Sequence, residues 1–555
     1  MSTDTPRKWA PDEKPTFPGS PSFPQDRPRW LLAAYLVVGV IVALTGGLGN
    51  ALVTVNLLDL QGPLGAYSSE TNWLPAAYVM TNASMNLVLV KFRQQFGLCL
   101  FTEMFLALYA LVTFAHLFVN DLMSAVAVRA AHGMVGAALT SLGLFYILQA
   151  FPKRETRLRG LALALGVIQL PLPLAYLFSA DMLKLGEWRG LYLFELGLSL
   201  LAMACVLALK LPPGDRVNAF RKMDVVTFFL FAPGVALLCA ALTFGRVLWW
   251  FEVPWVGVAL AASVVLIAAA FFVEHNRSDP LLNMRWLTNA SIVRLGIGLV
   301  LVRIVLSEQS VGAVGFFRAL GLKNEQLQIL FVIVLLAAIA GTLVAAMTIN
   351  PQHLLAPQVI ALLIMALGAF IDSHATNLTR PEQMYVSQAM LAFGGTLFLG
   401  PLVISLVVQV IAMPGNLISF VILFGLTQNL GGLIGSSLLG TFQVIREKYH
   451  SAMLVEHLSA LDPLVASRVQ AGAAAVGRLL ADPASRERQG LSALAAAATR
   501  EANVLAYNDV FLLIAGIAAL HAAWVFVGAV WLTYFAPPAA PAPPGPSAPP
   551  QPITD

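Results

Sequence analysis

Fourteen apolar runs, each 19 to 29 residues long, follow one another along this 555-residue chain at 30–58, 73–91, 98–119, 122–150, 158–180, 189–210, 224–245, 253–274, 290–312, 326–348, 354–372, 384–412, 417–440 and 507–535. A run of this length matches the hydrocarbon thickness of a bilayer, and a helix is the structure that pairs every backbone group within the run. The sequence therefore predicts an all-α, polytopic membrane protein with about fourteen transmembrane helices. Composition agrees: 58% of the residues are hydrophobic and 11% charged, too little polar surface to clothe a water-soluble protein of this size. A net charge of +4 is mild for the length and gives no reason to expect nucleic acid as a partner. Cys99, Cys205 and Cys239 sit inside apolar runs without paired spacing, which argues against disulfides or a thiolate metal site.

Basic residues in short loops are retained on the cytoplasmic side. One side collects Arg7, Lys8, Lys14, Arg27, Arg29, Lys91, Arg93, Lys153, Arg154, Arg157, Arg159, Lys210, Arg216, Arg221, Lys222, Arg277 and Arg285, against Lys184, Arg189, Arg246, Arg318, Lys323 and Arg380 on the other. Both termini are thus expected to be cytoplasmic, with the first run kept as a signal anchor. The long connection 441–506 falls outside, and its Ala-rich periodic stretches predict one or two surface helices. Residues 1–29 and the Pro-rich 536–555 are expected to be disordered cytoplasmic tails.

Charged groups within the spans cost roughly 3 kcal/mol each on insertion scales, so they mark candidate functional positions. They are Glu103, Arg129, Glu195, Arg303 and Glu308. Helical spacing puts Arg129, His132, Gly133 and Gly136 on one face, where Arg129 either tunes a carboxylate, holds an anion or forms a buried structural pair. His132 is a proton relay or a structural hydrogen-bond donor. Glu195 and Glu308 are candidate proton carriers, or else structural partners of Arg129 and Arg303, and these five form the expected coupling set. Glu103 is expected near a helix end, and Asp59 and Asp372 at the outer interface.

Uncharged polar residues recur at four-residue spacing at Gly46, Asn50 and Thr54 and at Asn82 and Asn86, lining a cavity or bonding helix to helix. Gln169, Pro171 and Pro173 predict a break in the fifth span, either a pathway-lining interruption or a proline kink. The run Gly431 to Ser437 contains a GxxxG step that predicts close helix packing. The sequence has no zinc-like His/Glu spacing, no Walker loop and no GxSxG elbow, so neither an enzyme nor a bound cofactor is expected.

Several segments resemble one family, the fourteen-helix drug:proton antiporters of the major facilitator superfamily, of the EmrB and QacA type. They are Gln428-Asn429-Leu430-Gly431-Gly432-Leu433-Ile434-Gly435, then Leu454-Val455-Glu456-His457, then Leu505-Ala506-Tyr507-Asn508-Asp509-Val510-Phe511. Arg129-Ala130-Ala131-His132-Gly133 resembles the family's fourth-helix RxxQG motif, Asp279-Pro280-Leu281-Leu282 through Asn289 its entry to the ninth helix, and Gly65 to Trp73 its first external loop. The chain departs from the family at Gly49 and Asn50, where an aspartate is usual. It departs again in Val90 to Gly97, which lacks the motif's Gly and Asp, and in Leu170 to Tyr176, which lacks the antiporter motif's paired glycines.

The resemblance implies a six-helix half at 30–210, two inserted helices at 224–274 and a second half at 290–535 that includes the external loop. It implies proton-coupled export of hydrophobic or amphipathic molecules, drugs or aromatic acids, across a bacterial inner membrane. Partners would be lipid, substrate and protons, with a periplasmic membrane-fusion adaptor and an outer-membrane channel as further candidates. Arg129 alone inherits a family role directly, the embedded arginine of proton coupling. The alternative, suggested by the altered motifs, is a scaffold or sensor that keeps the transporter fold without transport.

Overall fold

The computed structural model describes residues 13–250, 252–277, 280–459 and 461–534, and the described residues are helical with no strand. The helices are α1 Arg29–Val55, α2 Trp73–Phe96, α3 Leu98–Phe118, α4 Leu122–Gln149, α5 Arg157–Lys184, α6 Trp188–Ala208 and α7 Lys222–Val247. There follow α8 Pro254–His275, α9 Ala290–Ala319, α10 Asn324–Thr348, α11 Leu355–Asp372, α12 Pro381–Ala412, α13 Leu417–Glu456 and α14 Pro483–Trp531. Thirteen of these are long and apolar enough to cross a bilayer by composition alone. The other, α2, has 24 residues and owes its lower hydropathy to Thr81, Asn82, Asn86, Lys91 and Arg93. It packs against α4, α7 and α13 and so lies inside the bundle.

Helix ends follow local chemistry. Asp121 caps α4 in a box with Ser124, and the Asn289 side chain accepts from Ser291 N at 3.0 Å to start α9. In α5 the helix stops at Val167 and resumes at Pro171, as Gln169 and the two prolines predict, because Pro171 has no N–H to continue the ladder. A π-helical turn, Glu308–Ala313, interrupts α9.

The helices α1 to α6 pack among themselves, as do α9 to α14, while α7 and α8 pair with each other and touch the bundle through α2 and α13. The two groups meet along α2 with α13 and along α5 with α10 and α12. At the face opposite Arg29, called the far face, Asn324 donates to Val55 O at 3.1 Å, Gln328 to Leu177 O at 3.2 Å, and Tyr176 stacks on Phe331 at 3.8 Å. Nearer the Arg29 face, Gly400 lets α12 approach Ala162, where an added Cβ would lie 3.4 Å away. The groups touch toward both ends.

One sequence expectation needs correction, and the long connection takes the helical form expected of it. Residues 13–28, expected to be disordered, are seated on the near face: Gly19 N donates to Asp215 O at 3.1 Å and Ser22 N to Pro213 O at 3.2 Å. Phe23 is 3% exposed beneath the Arg157 guanidinium, 3.8 Å from its ring centroid, and Phe17 packs against the core of the α9–α14 group. The aromatic side chains and backbone hydrogen bonds offset the ordering entropy that a Pro-rich composition alone would not overcome. The connection 441–506 is largely continuous with its spans, since α13 runs on to Glu456 and α14 starts at Pro483, with Pro463–Ala475 as a separate short helix. Arg446 and His450, one turn apart, hold Asp509 of α14 at 2.6 and 2.7 Å at the base of this cap. The expected tail 536–555 lies outside the described residues, as do residues 1–12.

On the near face a buried ionic cluster ties α2 to the inserted pair: Asp224 holds Lys91 at 2.7 Å and Arg277 at 2.9 Å, and Arg277 reaches Glu274 at 2.6 Å. Glu274 also accepts from Leu281 N and Leu282 N, which fixes these two residues in the approach to α9. Breaking a buried cluster leaves an uncompensated charge, at a cost of about 3–5 kcal/mol. Asp224→Asn is expected to lower the Tm of the purified protein sharply, and adding Lys91→Met to recover part of the loss, as read by thermal unfolding in detergent. The GxxxG step packs α13 on α9, where a Cβ at Gly435 would lie 3.0 Å from Ile304 Cα, whereas Gly516 has open space around it. Gly435→Leu should therefore destabilise by about 1–3 kcal/mol through overpacking, and Gly516→Leu should leave Tm unchanged.

Candidate functional site

The far-facing half of the α1–α6 group encloses a chain of polar side chains built on Arg129. Its guanidinium is 0% exposed and donates to Gly49 O and to Asn50 Oδ1, both at 2.8 Å, and to His132 Nδ1 at 3.2 Å, one turn along α4. Tyr78 lies under it at 4.7 Å. With Arg129 donating to Nδ1, the proton of a neutral His132 sits on Nε2, which faces Glu195 Oε1 at 2.9 Å. Tyr109 Oη closes the chain, 2.8 Å from the same carboxylate oxygen and 2.9 Å from Thr45 O. Glu195 is 1% exposed and His132 0%.

The α1 backbone has to come close for this to form. A Cβ at Gly49 would collide with the Glu195 carboxylate and the Tyr109 hydroxyl, and would lie 2.7 Å from His132 Cε1. Gly49 is thus the price of bringing α3, α4 and α6 to one point. Asn50 of α1 accepts directly from Arg129, and the carboxylate of the chain comes from Glu195 of α6.

A second centre lies in the α9–α14 group. Glu308, 0% exposed at the start of the π-helical turn, accepts from Gln388 Nε2 at 2.9 and 3.1 Å, and the same nitrogen reaches Asp372 Oδ2 at 2.8 Å. Ser387 also donates to Asp372. Two carboxylates thus share one amide, with no ion pair to a basic residue among the described residues. Asp372 is 3% exposed, a correction to its expected place at the outer interface: α12 covers the end of α11 and encloses it. Asp59 is exposed as expected, and Glu103 pairs with Lys210 at 2.9 Å on the surface, where its hydrogen bond raises the pKa of the lysine. That exposed pair contributes little to stability.

The expected coupling set therefore divides into three places: Arg129, His132 and Glu195 together, Glu308 with Asp372, and Arg303 apart from both. Arg303 faces the seam between the groups and donates to Gln169 at the α5 break, at 3.0 Å. The expected cavity residues divide as well. Asn50 belongs to the arginine chain, and Thr54 is exposed and bonded to its own helix at Asn50 O. Asn82 meets Asn429 of α13 at 3.2 Å, and Asn86 lies beside Gly425, so these two and Gln169 line the seam. Tyr109, Asp372 and Gln388 were missed by the sequence reading. Two are uncharged, and Asp372 ends an apolar run as an interfacial residue would; only the pairing of spans reveals them.

Comparison with known proteins places this architecture. No family profile matches the chain. Over 285 residues it is 26% identical to the "Probable actinorhodin transporter" of Streptomyces coelicolor, covering 49% of this chain and 46% of that protein. Over 220 residues it is 26% identical to the major facilitator superfamily multidrug transporter mfsC of Aspergillus fumigatus, covering 39% and 40%. The alignments thus span less than half the length of these curated relatives. Among solved structures, the human organic anion transporter MFSD10 (TETRAN) superposes on 89% of this chain and 100% of its own, with a TM-score of 0.53 at 12% identity. The proton:xylose symporter XylE superposes on 88% of this chain and 94% of its own, with a TM-score of 0.51 at 14% identity. The chain has the major facilitator fold, and these similar proteins are transporters, not enzymes.

Two buried carboxylates bridged by one amide without a cation repel each other, so neutralising one relieves the repulsion. Glu308→Gln or Asp372→Asn is expected to hold or raise Tm at neutral pH, whereas Gln388→Leu, which removes the bridge, should lower it by several degrees in thermal unfolding.

Proposed function

We propose that the protein is a proton-coupled secondary exporter of hydrophobic or amphipathic small molecules, working in a bacterial inner membrane with the Arg29 face and both termini in the cytoplasm. The observation that carries this reading is the buried chain from Arg129 through His132 to Glu195 and Tyr109. A cation and a carboxylate are kept at membrane depth, joined through an imidazole, where apolar packing would cost less. In the alternating cycle, Glu195 takes a proton when the halves rock open to the far face. The proton stays on Glu195, whose lost charge weakens its hold on His132 Nε2–H; the imidazole shifts, Arg129 keeps its own protons, and its hold on Gly49 O and Asn50 of α1 loosens. Since α1 also bears on the far-face contact through Val55, the protonation state of Glu195 biases which mouth opens. Glu308 with Asp372 forms a second proton-accepting pair in the other half, and the seam residues Asn82, Asn86 and Gln169 line the substrate path.

The major facilitator fold and the drug- and antibiotic-transporting relatives support export. The basic loops on the Arg29 face support the orientation. The cap built from 441–506 offers the surface on which an adaptor would dock. Flux in proteoliposomes is expected to follow an imposed proton gradient and to collapse with protonophore. Glu195→Gln should abolish gradient-driven uptake while keeping substrate exchange, and Arg129→Ala should lose both. Transport that ignores the gradient, in wild type and variants alike, would sink the reading.

A further inference from the structure

Arg303 offers five N–H donors and satisfies one of them on protein: Nη1 binds Gln169, while Nε is buried without an acceptor and no ion pair forms to the side chain among the described residues. Gln428 Nε2, on α13, is also buried without an acceptor. Gln428 stands one turn before Gly431, whose added Cβ would lie 2.9 Å from Arg303 Cβ, so the two orphaned donors face the same seam. Next along α13, Gly432 has only Arg303 Nη2 within 4 Å, at 3.5 Å, which leaves open space beside the guanidinium. Arg303, Gln428, Gln169 and Asn429 are each partly exposed although all lie mid-span between helices of opposite groups.

Leaving a guanidinium unpaired at this depth is costly, and so is an orphaned amide donor. An anion bound between them removes both costs, since charge-assisted hydrogen bonds from a guanidinium fork are the strongest that side chains make. One turn back along α13 from Gln428, on the same face, are Phe424 and then Phe420, partly buried and stacked at 6.2 Å, an apolar wall beside the polar end. The far face of the α9–α14 group also carries an excess of basic over acidic side chains around a cavity. A cavity of about 430 Å³ under the cap is lined by Arg380, Arg468 and Arg500 over Leu454, Leu458 and Leu494, against the single acid Glu501.

We infer that the seam between α5, α9 and α13 is a binding site for an amphipathic organic anion, its carboxylate or sulfonate held by Arg303 and Gln428 and its aromatic body laid along Phe424 and Phe420. The inference rests on the export reading for its biological sense, though binding and flux separate it from that reading. Binding of naphthoate, neutral naphthamide and naphthyltrimethylammonium to the full-length protein in detergent tests it, with flux of the same probes in proteoliposomes. Naphthoate should bind at least ~10-fold more tightly than either analogue, and Arg303→Gln should remove that advantage, with Arg303→Lys recovering part of it. Gln428→Ala should cost a few-fold, with Tm and gel-filtration profile showing each variant folded. Equal binding of the three probes, no naphthoate binding to the folded wild type, or naphthoate binding unchanged in Arg303→Gln overturns the site. Arg303-dependent naphthoate binding without flux under any gradient keeps the site and removes the export reading. Flux of the cationic probe untouched by Arg303→Gln, with no preference for naphthoate, keeps export and removes the site.

Discussion

The Arg129 guanidinium, 0% exposed at membrane depth, finds its partners on protein, and it shapes the α1–α6 group around that demand. Two acceptors come from α1, one from α4, and an aromatic face from α2. Three helices, α1, α2 and α4, are thereby fixed relative to one charge. The chain then extends through His132 to Glu195 and Tyr109, adding α6 and α3. In lipid, where apolar contact gives no hydrophobic gain over the solvent, such hydrogen bonds and close packing are what specify helix neighbours.

Small residues complete the arrangement by letting backbones approach. Gly49 admits three polar side chains against α1, Gly133 seats α4 on α2 at Tyr78 and Thr81, and Gly435 seats α13 on α9. The near face is held differently, by the ionic cluster of Lys91, Asp224, Glu274 and Arg277 and by the segment 13–28 laid across it. The contrast follows depth: near the aqueous face charges pair with charges, whereas deeper the arginines rely on carbonyls, amides and rings.

Most of the architecture was legible because hydrophobic length is a local property. Each span declares itself without reference to any other, and the proline break in α5 and the glycine step in α13 follow from single-residue geometry. Arg129 with His132 was legible for the same reason, since their spacing lies within one helix. The site was only partly legible. Glu195 reads as a lone glutamate until α6 is laid beside α4, and Asp372 reads as interfacial until α12 covers it. Arg303 and Glu308 look like partners in sequence but point to different neighbours, one to the seam and one into its own group.

The amino-acid order alone thus determined that the chain is an all-helical membrane bundle, thirteen of whose described helices are long and apolar enough to span, with charged groups kept inside it, because burial in lipid forces every segment to satisfy its own backbone. Which charges meet was decided only by tertiary structure. The pairing of α4 with α6, of α9 with α11 and α12, and of α5 with α9 brings together residues 63 to 134 positions apart. No local rule carries information across that distance; helix packing and loop closure do.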